Sequence, residues 1–170
     1  MRNAVLGLGV LAAVALGVLG ICSVPAVAAD EVKISKVNLE DLSKAVAAHK
    51  GKIVVIDIWA TFCPPCKEKF PHMVELHNKL KDKGVVFMSL SVDEPADMPN
   101  ALEFLQGKKA FFTNYLLDDT DKNKEAWEDK FAHQSPPIVH VFDRSGKLQT
   151  LEGKKIATLD KLLEELIEKK

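Results

Sequence analysis

The stretch Ile53–Pro71, IVVIDIWATFCPPCKEKFP, decides the fold. Its apolar, β-branched run (Ile53, Val54, Val55, Ile56, Ile58) stops at a short turn holding two cysteines, and charged residues at helical spacing follow at once. That pattern predicts a strand buried on both faces feeding a helix, with Cys63 at the junction. A cysteine placed there meets the unsatisfied N–H groups of the first helical turn and the positive end of the helix dipole, which stabilise its thiolate relative to the thiol. Cys66 comes one turn later, close enough to close a small disulfide ring, so the pair can store and release two electrons.

WATFCPPC, with Lys67 next and Pro71 five residues past the second cysteine, resembles the thioredoxin superfamily. The later SPPIVHVFDRSGK, residues 135–147, resembles the proline loop and strand of its TlpA/ResA-like branch of extracytoplasmic thiol-disulfide oxidoreductases. The likeness runs from about Val37 to the C-terminus. A CxxC pair by itself is shared with zinc sites; the Trp-Ala-x-x-Cys-x-Pro-Cys context and the distant proline signature make the match specific. It implies a thioredoxin-like α/β fold, a mixed central β-sheet sandwiched by α-helices. It also implies that Cys63 attacks a substrate disulfide and Cys66 resolves the mixed disulfide, with no bound cofactor. The partners would be protein disulfide or dithiol substrates and a membrane or periplasmic thiol donor.

Bulk properties narrow the class. At 170 residues and 47% hydrophobic content, one globular domain can bury a core without staples. A net charge of −1 and 6% aromatic residues leave no basic surplus and argue against a nucleic-acid partner. Of three cysteines, Cys22 lies in the N-terminal apolar segment, leaving one dithiol and no disulfide scaffold in the folded part.

Residues 1–29 read as a targeting segment and 30–170 as the thioredoxin-like domain. Arg2 comes before an apolar run from Ala4 to Cys22, and Ala26-Val27-Ala28 supplies an Ala-x-Ala cleavage pattern before Asp30. The run is nearly long enough to span a bilayer, so an uncleaved N-terminal membrane anchor is the alternative to a cleaved signal peptide. Leu19-Gly20-Ile21-Cys22 departs from a lipoprotein box at Ile21, where a small residue belongs. Each reading exports the domain to the periplasmic side.

Elsewhere the periods of the sequence predict the order of elements. Residues 31–37 read as a linker or edge segment, and a helix capped at Asn38 ends at Lys50-Gly51. The strand to Ile58 feeds a helix over 64–81. Strand 85–92 and a helix from Met98 to Gly107 follow, and parallel pairing through right-handed crossovers is expected. A short strand near 115–117, a solvated turn to Lys124 and a helix over 125–131 carrying Trp127 come next. A hairpin of 138–142 and 147–151 turns at Asp143–Gly146, and a closing helix over 158–169 turns Leu159, Leu162, Leu163, Leu166 and Ile167 inward.

The candidate catalytic residues are Cys63, Cys66, Asp57 and Pro137. Pro64 and Pro65 remove two backbone N–H donors, leaving the Cys63 thiolate to the Cys66 and Lys67 amides and the dipole; a less stabilised thiolate makes a more reducing couple. Asp57 stands six residues before Cys63, where thioredoxins carry a buried acid. Burial should raise its pKa toward that of a general base for Cys66. Thioredoxins often pair that acid with a lysine on the next strand, a place that Ser89 takes here; Glu94 is the alternative acid. Pro137 matches the proline that faces the dithiol across a cis bond, and an extended substrate can pair with that edge. Pro136, just before it, lacks the N–H a substrate would otherwise meet. Trp59, Pro64, Pro65 and Pro136 are the candidate substrate-binding residues, with Ala60, Thr61 and Phe62 lining the same approach. His72, His77, His133 and His140 read as surface or hydrogen-bonding groups, and no metal site is expected.

A different class remains open: the thiolates are soft ligands, and a copper-handling module would use them. Peroxide reduction is disfavoured, because the Pro-x-x-x-Thr-x-x-Cys frame of peroxiredoxins is absent around Cys63.

Overall fold

The computed structural model of the chain describes residues 31–118 and 135–169. The expected targeting segment, the turn after Asp118, the helix over 125–131 and His133 lie outside the described residues. The elements are β1 (Ser35–Val37), α1 (Leu39–Ala47), β2 (Ile53–Trp59), α2 (Pro64–Leu80), β3 (Val85–Ser91), α3 (Met98–Gly107), β4 (Thr113–Leu117), β5 (Ile138–Phe142), β6 (Leu148–Glu152) and α4 (Leu159–Glu168). Residues 31–37 resolve into an edge strand, and the strand expected near 115–117 begins two residues earlier. No helix among the described residues is long and apolar enough to cross a membrane.

The strands form one six-stranded sheet in the order β1-β4-β3-β2-β5-β6. β1, β4, β3 and β2 run parallel, while β5 is antiparallel to β2 and β6 to β5. Crossover handedness then distributes the helices. The steps β2-α2-β3 and β3-α3-β4 travel in one direction across the sheet and lay α2 and α3 on one face. The step β1-α1-β2 travels the other way and lays α1 on the opposite face. This is the mixed α/β sandwich of a thioredoxin-like fold.

Every residue of β2 is buried, because both faces are covered. Ile53 and Val55 pack with Met73, Leu76 and Leu80 of α2 and with Leu159, Leu163 and Leu166 of α4. Val54, Ile56 and Ile58 pack on the other side with Leu42 of α1 and with Met88 and Leu90 of β3. Truncating one of the fully buried leucines, such as Leu163, should cost about 2–5 kcal/mol.

Local chemistry fixes the ends of the elements. Asn38 caps α1 by accepting from the Asp41 N–H at 2.8 Å. After α2 a single 3-10 turn leads to Gly84, whose φ of +78° is a conformation glycine adopts without a Cβ penalty. In the β5–β6 hairpin, Asp143 Oδ1 accepts from Ser145 N, Ser145 Oγ and Lys147 N. These bonds, the Ser145 hydroxyl first, hold the Asp143 carboxyl below its ordinary value. The next residue, Arg144, donates to the terminal carbonyls of α4: Leu166 O, Lys169 O at 2.6 Å and Ile167 O at 3.3 Å. Those carbonyls have no intrahelical donor, so one guanidinium ties the closing helix to the hairpin.

Candidate active site

The site is built where β2 ends and α2 begins. Trp59 O accepts from Val92 N at 2.9 Å, and the chain then turns, with Cys63 N donating to Ala60 O at 3.2 Å. Cys63 takes the extended N-cap conformation (φ −104°, ψ 95°), with Pro64 and Pro65 in the first turn of α2. Prolines fit there because those N–H groups would have no intrahelical acceptor. Cys63 and Cys66 are joined as a disulfide across a Cα–Cα distance of 5.3 Å.

The sulfurs differ in environment. Cys66 is fully buried, whereas Cys63 keeps 6% of its surface. Around Cys63 stand the exposed Phe62, Pro64 and Pro65 and the half-buried Pro136. Cys63 Sγ accepts from the Cys66 N–H at 3.3 Å. The Lys67 N–H is committed elsewhere, donating to Cys63 O at 3.2 Å as the first regular bond of the helix. The expectation of two amide donors at the sulfur is therefore corrected to one: helix geometry takes the second for the main chain.

Across the site, the Pro136–Pro137 bond is cis, and Pro136 O lies 3.6 Å from Cys63 Sγ. Pro137 thus follows a carbonyl that faces the sulfur, and neither proline offers a donor.

Behind the disulfide, Trp59 is fully buried and packs against Phe70 (centroids 5.3 Å apart) and Phe104 (4.9 Å). Its expected place on the substrate approach is corrected: strand alternation turns the side chain inward beneath α2, in the same cluster as both cysteines. The fully buried Ala60 is likewise off the surface, which leaves Phe62, at 71% exposure, as the large apolar side chain there.

Asp57 is fully buried on the α2 side of β2, level with Ser89 on β3 and Val139 on β5. Burial raises its pKa from the ordinary carboxylate value, and the ammonium of Lys69 opposes the rise. Lys69 Nζ forms an ion pair and hydrogen bond with Asp57 Oδ1. Ser89 does occupy the matching strand position, so the missing strand lysine is replaced by one from α2. Asp57 Oδ2 has no hydrogen-bond partner among the described residues.

The alternative acid has a different setting. Glu94 is exposed and makes no capping bond, whereas its neighbour Asp93 is 2% exposed. The Thr61 N–H donates to both Asp93 oxygens (2.9 and 3.0 Å), Thr61 Oγ1 to Oδ1 at 2.6 Å, and Ser91 Oγ to Oδ2 at 2.6 Å. Asp93 therefore anchors the turn that carries Phe62 and Cys63. Its position two residues past the end of β3, with Ser91 two residues before it, was the signal available in the sequence.

Comparison with known proteins agrees with this architecture. Residues 22–151 match the AhpC/TSA family. ResA of Geobacillus thermodenitrificans (strain NG80-2), a thiol-disulfide oxidoreductase, is 33% identical over 114 residues, covering 67% of this chain and 62% of that protein. ResA of Bacillus thuringiensis (strain Al Hakam) is 42% identical over 59 residues, 35% of this chain and 30% of the relative. The matches thus span from under a third to about three-fifths of these relatives' length. A solved structure from Chlorobium tepidum, assigned as the thiol:disulfide interchange protein DsbE, superposes with a TM-score of 0.57 at 27% identity, over 71% of this chain and 84% of that one. With most of its length matched, this chain belongs to the thioredoxin-like AhpC/TSA family, and the ResA thiol-disulfide oxidoreductases are among its homologues.

Proposed function

We propose that the chain is an exported thiol-disulfide oxidoreductase that works in the reducing direction on disulfides of other exported proteins. One observation carries the reading: a Cys63–Cys66 disulfide caps α2, with one sulfur reaching the surface and the other sealed behind it. In the reduced protein, Cys63 attacks a client disulfide. A Cys63–client bond forms and the client's second sulfur leaves as thiolate. Cys66 then gives up its proton and attacks Cys63. The internal disulfide closes, and the client departs fully reduced, with two electrons transferred.

The reducing direction rests on the surroundings of Cys63. One backbone N–H points at its sulfur, and a carbonyl oxygen faces it from Pro136. A carbonyl can accept from a thiol but offers nothing to a thiolate, so the reduced form gains little stabilisation and the couple is the more reducing. Client contacts are assigned to Phe62, Pro64, Pro65 and the 136–137 edge. Asp57 is assigned as proton acceptor for Cys66. Residues 1–29 supply export, by a cleaved signal or a retained anchor, and a membrane or periplasmic dithiol recharges the pair.

The test is insulin reduction with dithiothreitol as donor. The wild type should precipitate the insulin B chain, and Cys63→Ser should not. Stoichiometric Cu(I) binding by the reduced protein with insulin left intact would replace this reading with metal handling.

A further inference from the structure

The lysine that meets Asp57 comes from the active-site helix itself. Along β2, Asp57 lies two residues before Trp59, about 6.6 Å back from the strand end. Along α2, which returns over the strand, Lys69 lies three residues past Cys66, about 4.5 Å further from the helix start. The two displacements run the same way, so the ion pair forms one layer beneath the buried sulfur. Both partners are shielded, with the Lys69 side chain 12% and the Asp57 side chain 1% exposed. Across the sheet Asp57 meets Ser89, whose hydroxyl donates to Asn114 Oδ1, and Val139, neither of which carries charge. Among the described residues, Lys69 is the charged group paired with it. The cation engages Oδ1, and Oδ2 stays buried without a hydrogen-bond partner among the described residues. On the same face of β2, the indole Nε1 of Trp59 is also buried without a hydrogen-bond partner among the described residues. A carboxylate kept for structure has both oxygens engaged, as Asp93 does.

We propose that Lys69 is a positioning residue for the closing step: by holding Oδ1 of Asp57 it leaves Oδ2 to accept the Cys66 thiol proton. The inference rests on the dithiol exchange proposed above and adds the group that governs its second half. In that half the Cys66 S–H bond breaks, the proton passes to Asp57 Oδ2, and the Cys66 sulfur displaces the client from Cys63. In reverse, protonated Asp57 returns the proton to the leaving Cys66 sulfur. Without the ammonium the carboxylate's charged form loses the cation that favours it. Burial then acts alone, and the base is available only at higher pH.

The test uses the reduced full chain and dithiobis(nitrobenzoate), whose coloured thiolate leaves in two events. The first release, bimolecular, reports attack by Cys63; the second, unimolecular, reports closure by Cys66. Lys69→Met should slow the second release about tenfold or more at pH 7 and move its pH midpoint upward. Lys69→Arg should restore both, and in an Asp57→Asn background Lys69→Met should add nothing. An unmoved midpoint and rate, or an equal slowing without Asp57, overturns the proposal. Loss of the first release in the wild type overturns the dithiol exchange itself, a separate failure. Should Lys69→Met not fold, Lys69→Gln keeps a donor to Oδ1 without the charge. It too must move the midpoint upward, and an unmoved midpoint overturns the proposal.

Discussion

Two buried aspartates flank the dithiol, and their surroundings are opposite. Asp93 accepts hydrogen bonds from a backbone N–H and two hydroxyls, both of its oxygens being engaged. Asp57 has one oxygen on Lys69 and the other on nothing among the described residues, and burial has pushed its pKa upward. Full satisfaction makes a carboxylate an anchor, because removing it orphans every donor it held. Incomplete satisfaction leaves a group whose charge can change during a reaction. The same residue type therefore holds the loop at one place and, in the proposed exchange, takes up a proton at the other.

That contrast can be broken by experiment, beginning where the effect is largest. Asp57→Asn should slow the second release from dithiobis(nitrobenzoate) about a hundredfold at pH 7. An unchanged second release would make the two carboxylates equivalent. Asp93→Ala should instead destabilise the fold by about 2 kcal/mol in urea unfolding, since three donors lose their acceptor. A loss of closure rate with no loss of stability would reverse the roles.

Next comes a pH slope. Because the folded pKa of Asp57 is raised, the folded state binds this proton more tightly than the unfolded chain does. The associated stability is full below the unfolded value near 3.8 and is lost as pH rises through the folded value. Urea midpoints measured upward from pH 4 should fall more steeply for the wild type than for Asp57→Asn, and parallel curves would contradict the raised value. Smallest is Arg144→Ala, far from both acids. It should cost about 1 kcal/mol by freeing carbonyls of α4 and should leave both release rates alone.

Much of this arrangement was legible along the chain, for identifiable reasons. Unbroken β-branching from Ile53 to Ile58 reads as a strand covered on both faces, and the proline-cysteine turn marks where a helix must start. The likeness of residues 135–147 to a proline loop and strand marked the facing loop. Pairings between segments distant in sequence were harder to see. Ser89 was legible as the neighbour of Asp57 because strand register is regular, but Lys69 reaches that acid from another layer, and its period along α2 suits a solvent-facing residue equally well. Asp93 went unread beside Glu94 because the two are neighbours just past a strand end, where alternation stops being a guide. Trp59 was misplaced because the expected strand stopped at Ile58; β2 runs one residue further, and Phe104 of α3 completes the aromatic cluster around the indole.

The most direct measurement of the central claim is covalent capture. Reduced Cys66→Ser protein, mixed with an exported protein holding a surface disulfide and analysed by non-reducing mass spectrometry, should accumulate an adduct on Cys63 that dithiothreitol releases. Cys63→Ser should form none. Equal adducts on either cysteine, or none on Cys63, would contradict the assignment of the surface sulfur as the one that attacks.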